Sequence, residues 1–148
     1  AYPQRALRTH DYLLIHNFRP DRWPAGAPQK LNSDGIPGPM HGGYHDIDAC
    51  PSLTFLIEGR QDSELSRFFH LAVDKRPEYE LYDIRSDPGC LQNLYESREH
   101  AAAATRLTAQ LDHHLRESGD PRAIDGGDIF ETYKRYSSIR RFPKPEAP

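Results

Sequence analysis

Two cysteines are all that this chain of 148 residues contains. One disulfide at most can form, between Cys50 and Cys90, and a pair of free thiols is the alternative. They do not form a C-x-x-C pair, so neither a zinc knuckle nor a dithiol redox motif is present. No apolar run approaches the roughly 18 residues needed to span a bilayer. Cationic excess is missing too: 19 Lys and Arg stand against 22 Asp and Glu, a formal charge of −3, which excludes the basic face that a nucleic-acid partner would need. There is no signal-peptide pattern and no internal repeat. The chain opens on Ala1-Tyr2-Pro3 and enters strand-like sequence within a few residues. It is expected to be a piece whose beginning lies elsewhere, so the missing export signal carries no information about compartment.

Hydrophobic residues make up 36%, beside 13 prolines and 10 glycines, so a lean core surrounded by irregular chain is expected. The length suits one domain, residues 1–148. Residues 1–18 read as a β-hairpin: Ala6-Leu7-Arg8 is extended, Thr9-His10-Asp11 carries turn chemistry, and Tyr12 to His16 is β-prone. Leu13 and Ile15 face one side, and Tyr12, Leu14 and His16 face the other. Periodicity then disappears across 19–50, where Pro20, Pro24, Pro28, Pro37 and Pro39 mix with Gly26, Gly35, Gly38, Gly42 and Gly43. A loop of this length in a compact domain usually serves a function or is disordered. Trp23 and Tyr44 imply that parts of it pack.

Two short helices are expected within 51–75, one starting at Pro51-Ser52 with Leu53, Leu56 and Ile57 inward. The other runs from about Ser63 to Val73 with Leu65, Phe68, Phe69 and Ala72 inward. Residues 78–85 form a strand in which Tyr79, Leu81 and Asp83 alternate with Glu80, Tyr82 and Ile84, ended by the turn Asp87-Pro88-Gly89. Residues 98–118 form the longest helix: Ser97 caps it, and Ala104, Leu107, Leu111 and Leu115 make its apolar stripe. Gly119 and Pro121 end it. Residues 121–148 are read as an extended surface tail. The class is α+β, a small antiparallel sheet packed against one long C-terminal helix.

Metal-binding candidates are weak. His41 and His45 are four apart, but Gly42-Gly43 between them disfavours the helix that would align them. Asp46-Ile47-Asp48 reads as a solvated or capping pair, and His113 and His114 as late-helix residues that suit the dipole. No metal ligand is assigned.

Hairpin, loop, strand, turn and long helix together resemble the C-terminal subdomain of the sulfatases, in the alkaline phosphatase superfamily. Two phrases carry the resemblance. One is Tyr2-Pro3-Gln4-Arg5-Ala6-Leu7-Arg8-Thr9 with Tyr12-Leu13-Leu14-Ile15-His16-Asn17-Phe18. The other is Glu80-Leu81-Tyr82-Asp83-Ile84-Arg85-Ser86-Asp87-Pro88-Gly89 with Gln92-Asn93-Leu94. The loop phrase Asn17 to Gly26 and the tail phrases Gly119-Asp120-Pro121-Arg122 and Asp128-Ile129-Phe130 are similar to the branch containing N-sulfoglucosamine sulfohydrolase (heparan sulfamidase) and its bacterial relatives. The resemblance extends from Tyr2 to about Pro143.

The resemblance implies a parent that hydrolyses sulfate esters or sulfamates, on a sulfated sugar of the N-sulfoglucosamine kind, such as a heparan sulfate glycosaminoglycan. Its formylglycine, made within C-x-P-x-R, and its Ca²⁺ would reside in an N-terminal domain. This chain carries no cofactor and no catalytic residue of its own. Cys50-Pro51-Ser52-Leu53-Thr54 has its proline one place early and Thr54 where the motif requires Arg, so it is a decoy. Three residues are candidates for substrate binding. Arg5 either braces the junction to the catalytic domain, the preferred reading, or meets an acidic substrate. Arg22 and Trp23 either wall a pocket for a sulfated sugar or pin the loop to the core. The implied partners are the N-terminal sulfatase domain and the saccharide. Exposed apolar surface is expected where the sheet would meet that domain, with self-association through it. The implied compartment is periplasmic, extracellular or lysosomal. The alternatives are a non-catalytic module that binds sulfated glycans, or part of a phosphoester or phosphonate hydrolase of the same superfamily.

Overall fold

A computed structural model describes residues 2–26, 39–44 and 46–134. They form an α+β structure in the order β1 (Gln4–Arg8), β2 (Tyr12–Asn17), α1 (Pro51–Glu58), α2 (Ser66–Val73), β3 (Tyr79–Asp83) and α3 (Ala101–Glu117). A chain read as one domain gathers into two compact units. Residues 21–76, with Tyr2, make up the first; residues 3–20 and 77–134 make up the second.

The second unit is the expected sheet and helix. The strands lie in the order β1-β2-β3, all antiparallel. Thr9 builds the hairpin turn: its Oγ1 accepts from Tyr12 N at 3.0 Å and from Asp11 N at 3.3 Å, and its own N donates to Tyr12 O at 2.8 Å. Registers Leu7↔Leu14 and Leu14↔Leu81 stack one apolar row across the sheet. Onto that row α3 lays Ala104, Leu107, Leu111 and Leu115, the stripe expected from the sequence. Leu14, Leu81 and Leu107 are fully buried, and each contributes roughly 1.5–3 kcal/mol through burial. The helix begins as a 3₁₀ turn, Arg98–His100, that leads directly into α3. Its end is a Schellman cap: Gly119 at φ 65° lets Asp120 N reach Leu115 O at 2.8 Å while Gly119 N bonds Arg116 O at 3.0 Å.

The phrase around β3 has a mechanical basis. Asp83 Oδ1 accepts from Arg85 N, and Asp87 Oδ2 accepts from Leu91 N and Gln92 N at 2.7 and 2.8 Å, which closes the turn. Asn93 then acts as a substitute strand along the open edge of β3. Its Oδ1 accepts from Leu81 N at 2.9 Å, its Nδ2 donates to Tyr79 O at 3.2 Å, and Leu94 N bonds Leu81 O at 2.7 Å. An edge that would otherwise expose unpaired backbone groups is thereby satisfied.

One expectation is corrected in this unit. In place of an extended tail, Pro121–Ala123 and Asp125–Thr132 are 3₁₀ turns. Asp120 caps the first by accepting from Arg122 N at 2.8 Å, and Gly126 and Gly127, at φ 61° and 73°, bend the second. Residues 135–148 of the expected tail lie outside the described residues. Among the described residues the exposed large hydrophobics are Phe55, Leu91, Ile124, Ile129 and Tyr133, none of them in a strand. The face opposite α3 is mixed: Ala6 is exposed and Leu13 and Ile15 are half-buried, in register with the polar pair Tyr82 and Glu80. Asn17 Nδ2 donates to Glu80 Oε1 at 2.7 Å, and Tyr82 OH donates to Glu80 Oε2, all three side chains being buried. A buried carboxylate needs such donors, since an unpaired one would cost several kcal/mol. Asn17 also ties the strand ends together, its Nδ2 donating to Pro77 O at 2.8 Å and its N to Glu78 O at 2.7 Å.

The first unit packs α1 and α2 around Tyr44, Leu53, Ile57 and Val73. Leu53 and Ile57 face inward as expected, and Tyr44 is buried within the Pro/Gly-rich stretch. The second helix starts later than its apolar pattern suggests. Asp62 Oδ1 takes Glu64 N and Leu65 N at 2.8 and 3.0 Å, holding those residues in a turn ahead of Ser66. Residues 27–38 and 45 of the long loop, His45 of the histidine pair among them, lie outside the described residues.

Candidate functional site

Arg5 projects from β1 and meets Asp120, just past the Schellman cap of α3, with both ends of its fork. Nε lies 2.7 Å from Oδ2 and Nη2 3.2 Å from Oδ1. The Arg5 hydrogen bonds are the main reason the Asp120 carboxyl is held below the ordinary 3.8; the Arg122 backbone N–H and charge add to the effect. The pair is a third exposed on the arginine side, so solvent screening keeps its contribution at roughly 1 kcal/mol. A bidentate fork already seated on a carboxylate is a brace between strand and helix end.

Other arginines of the same unit are engaged similarly. Arg19 pairs with Asp128. Arg122 is buried, donates from Nη1 to Gly126 O at 3.1 Å and lays its guanidinium 4.5 Å from the Phe130 ring centroid. Phe130 thereby acquires a packing role in a segment that read as an extended surface tail.

Arg22 and Trp23 belong to the first unit, so the three candidates from the sequence fall in two bodies. Trp23 is half-buried, and its turn closes with Gly26 N donating to Trp23 O at 3.5 Å, Gly26 standing at φ 95°. Across its indole lies Lys75, with Nζ 5.4 Å from the ring centroid. Nothing in the sequence pointed to Lys75, because its approach to Trp23 depends on how α2 ends.

The segment from Cys50 to Thr54 has a structural use. Cys50 is the residue preceding α1, with extended backbone, and Pro51 fills the first helical position, where its missing N–H costs nothing. Thr54, which stands where the nucleophile motif requires Arg, meets His41 Nε2 through Oγ1 at 3.0 Å. His41, Cys50, Pro51, Thr54, Phe55 and Glu58 line an open groove of about 520 Å³. Cys50 and Cys90 are both half-buried free thiols. Among the described residues, no group of three or more His, Cys, Asp or Glu side chains gathers as a metal site would require. These side chains therefore do not fit a formylglycine or Ca²⁺ centre, and no chemical step is assigned to them.

No protein-family model matches the chain. It does match the ulvan-active sulfatase of Formosa agariphila, with 29% identity over 133 residues, covering 85% of this chain and 19% of that protein. The chain is similar to part of a sulfatase. It spans about a fifth of that relative's length, and the shared stretch takes in most of both units described above. Residues that sequence reasoning missed are those whose partners come from far along the chain, Asp120 for Arg5 and Glu80 for Asn17. Asp120 entered the sequence reading only as part of the phrase Gly119-Asp120-Pro121-Arg122, and Glu80 only as an alternating position of its strand.

Proposed function

We propose that this chain is the C-terminal portion of a sulfatase, a hydrolase of sulfate esters or sulfamates, acting on a sulfated sugar and related to the sulfamidase-like branch. The similarity to the ulvan-active sulfatase over 133 residues is the observation that carries this reading. It is supported by the Asp83–Asp87–Asn93 hydrogen bonding that underlies the second sequence phrase. In this reading an N-terminal domain would hold the formylglycine and the Ca²⁺, which would supply the nucleophile and the Lewis acid for sulfate hydrolysis. This chain's residues do different work. The Arg5–Asp120 brace fixes β1 against the end of α3, Asn93 closes the sheet edge, and Arg22 and Trp23 stand as wall residues toward the sugar. The chain alone is non-catalytic, and the longer protein is periplasmic, extracellular or lysosomal.

The test compares this chain with the longer protein that carries it. Turnover of an aryl sulfate or of N-sulfoglucosamine is expected from the longer protein only, together with a C-x-P-x-R motif upstream of Ala1. Sulfate release by the purified 148-residue chain, or an upstream sequence lacking that motif, would overturn the proposal; release of phosphate in place of sulfate would move it to the phosphoester hydrolases.

A further inference from the structure

Trp23 is the single tryptophan of the chain, and one face of its indole is attended by the Lys75 ammonium. Lys75 is exposed, and among the described residues no carboxylate pairs with it. The acid beside it, Asp74, is held by His70, whose Nδ1 lies 2.8 Å from Oδ2. Arg76 on the other side is turned away, donating to Leu71 O. The result, among the described residues, is an ammonium with no paired carboxylate, placed over the ring of a half-buried tryptophan. At 5.4 Å the ammonium is near the outer limit of a cation–π contact. Such a contact at an exposed site contributes only ~0.5–1 kcal/mol, so a stronger anion can draw the ammonium off the ring at little cost.

We infer that Trp23 and Lys75 form a subsite for a sulfated sugar ring, with the sulfate on the Lys75 ammonium and the C–H face of the ring against the indole. The inference rests on the sulfated-sugar reading above and adds Lys75 to it. Three rotatable N–H donors on a compact charge suit the tripod of sulfate oxygens. The electron-rich indole face accepts the polarised C–H bonds of a pyranose as it accepts the ammonium. The ammonium and the aromatic face needed for the two halves of the ligand lie 5.4 Å apart. An acidic peptide would use Lys75 alone and leave the ring idle.

Because Trp23 has no competing indole, its emission reports on this site directly. The chain is titrated with N-sulfoglucosamine, N-acetylglucosamine and inorganic sulfate, following Trp23 fluorescence and heat. A saturable response to N-sulfoglucosamine is expected, at least tenfold tighter than to either other probe. Lys75→Met is expected to weaken it tenfold or more with unchanged circular dichroism, and Lys75→Arg to restore most of it. Equal affinity of the Lys75→Met chain, equal affinity for sulfate alone, or no saturation with N-sulfoglucosamine overturns the subsite. The enzymatic reading fails separately. Binding that depends on Lys75, in a longer protein that releases no sulfate, keeps the subsite and removes the sulfohydrolase. Turnover with a KM unmoved by Lys75→Met does the reverse.

Discussion

A few single residues fix the local geometry, and glycine shows how. Gly127 stands at φ 73°, and a Cβ built there would lie 2.3 Å from Cδ of the buried Arg122. Gly119 has φ 65° but nothing within 4 Å of that position. Both substitutions to alanine incur the left-handed backbone cost of about 1–2 kcal/mol, and only Gly127→Ala also has to displace the guanidinium stem from the Phe130 ring. Urea unfolding should therefore show Gly127→Ala losing more stability than Gly119→Ala; equal losses would mean that Arg122 moves aside freely. Gly119 was legible from sequence, because a glycine after an apolar stripe and before Pro121 reads as a cap. Gly127 was not, since its requirement arises from a side chain that folds back over it.

Among the elements, the ends of β2 and β3 join in a column of rings. Phe18 stacks on His16 at 4.0 Å, His16 on Tyr79 at 4.3 Å and Tyr79 on Tyr95 at 4.9 Å between centroids. The column desolvates its polar members. Burial lowers the His16 imidazole below its usual 6.5 against the pull of Glu78 and Asp112, and burial, with Asp112 and Glu78 adding to it, pushes the Tyr79 phenol up to about 12. The sign for His16 follows from proton binding: below pH 6.5 the unfolded chain takes up a proton that the folded one refuses. Its contribution to stability is complete above that pH and is lost as pH falls through the depressed folded value. An NMR titration of the His16 ring should give a midpoint under 6.5, and a midpoint at or above it would mean the column does not shield the ring. Alternation placed His16 and Tyr79 correctly on faces of their strands. Their stacking could not be read, because it needs the register His16↔Tyr79 between strands far apart in sequence.

For the molecule as a whole, stability is concentrated in few residues. Leu107→Ala removes a fully buried side chain from the contact between helix and sheet and should cost about 2–5 kcal/mol, a large share of the ~5–15 kcal/mol that holds a domain together. A loss under about 1 kcal/mol in a denaturant melt would contradict the core described here. The leucine stripe, the three strands and the class were legible because periods of 3.6 and 2 survive in a single sequence. The division into two units was not, because no linker composition marks its boundaries. Arg5 shows the same limit at the candidate site: its type advertised an anionic partner, but the partner is Asp120, 115 residues along the chain. The bonds of Asn17 to Pro77 and Glu78 have a topological consequence. They bring the departure and return of segment 21–76 to one spot on the sheet, so the helical unit is spliced into a strand pair whose hydrogen bonding does not depend on the segment's length. Closing a longer loop costs only about 0.6 kcal/mol per doubling. The three-stranded sheet is thus indifferent to how many residues are inserted between Asn17 and Pro77.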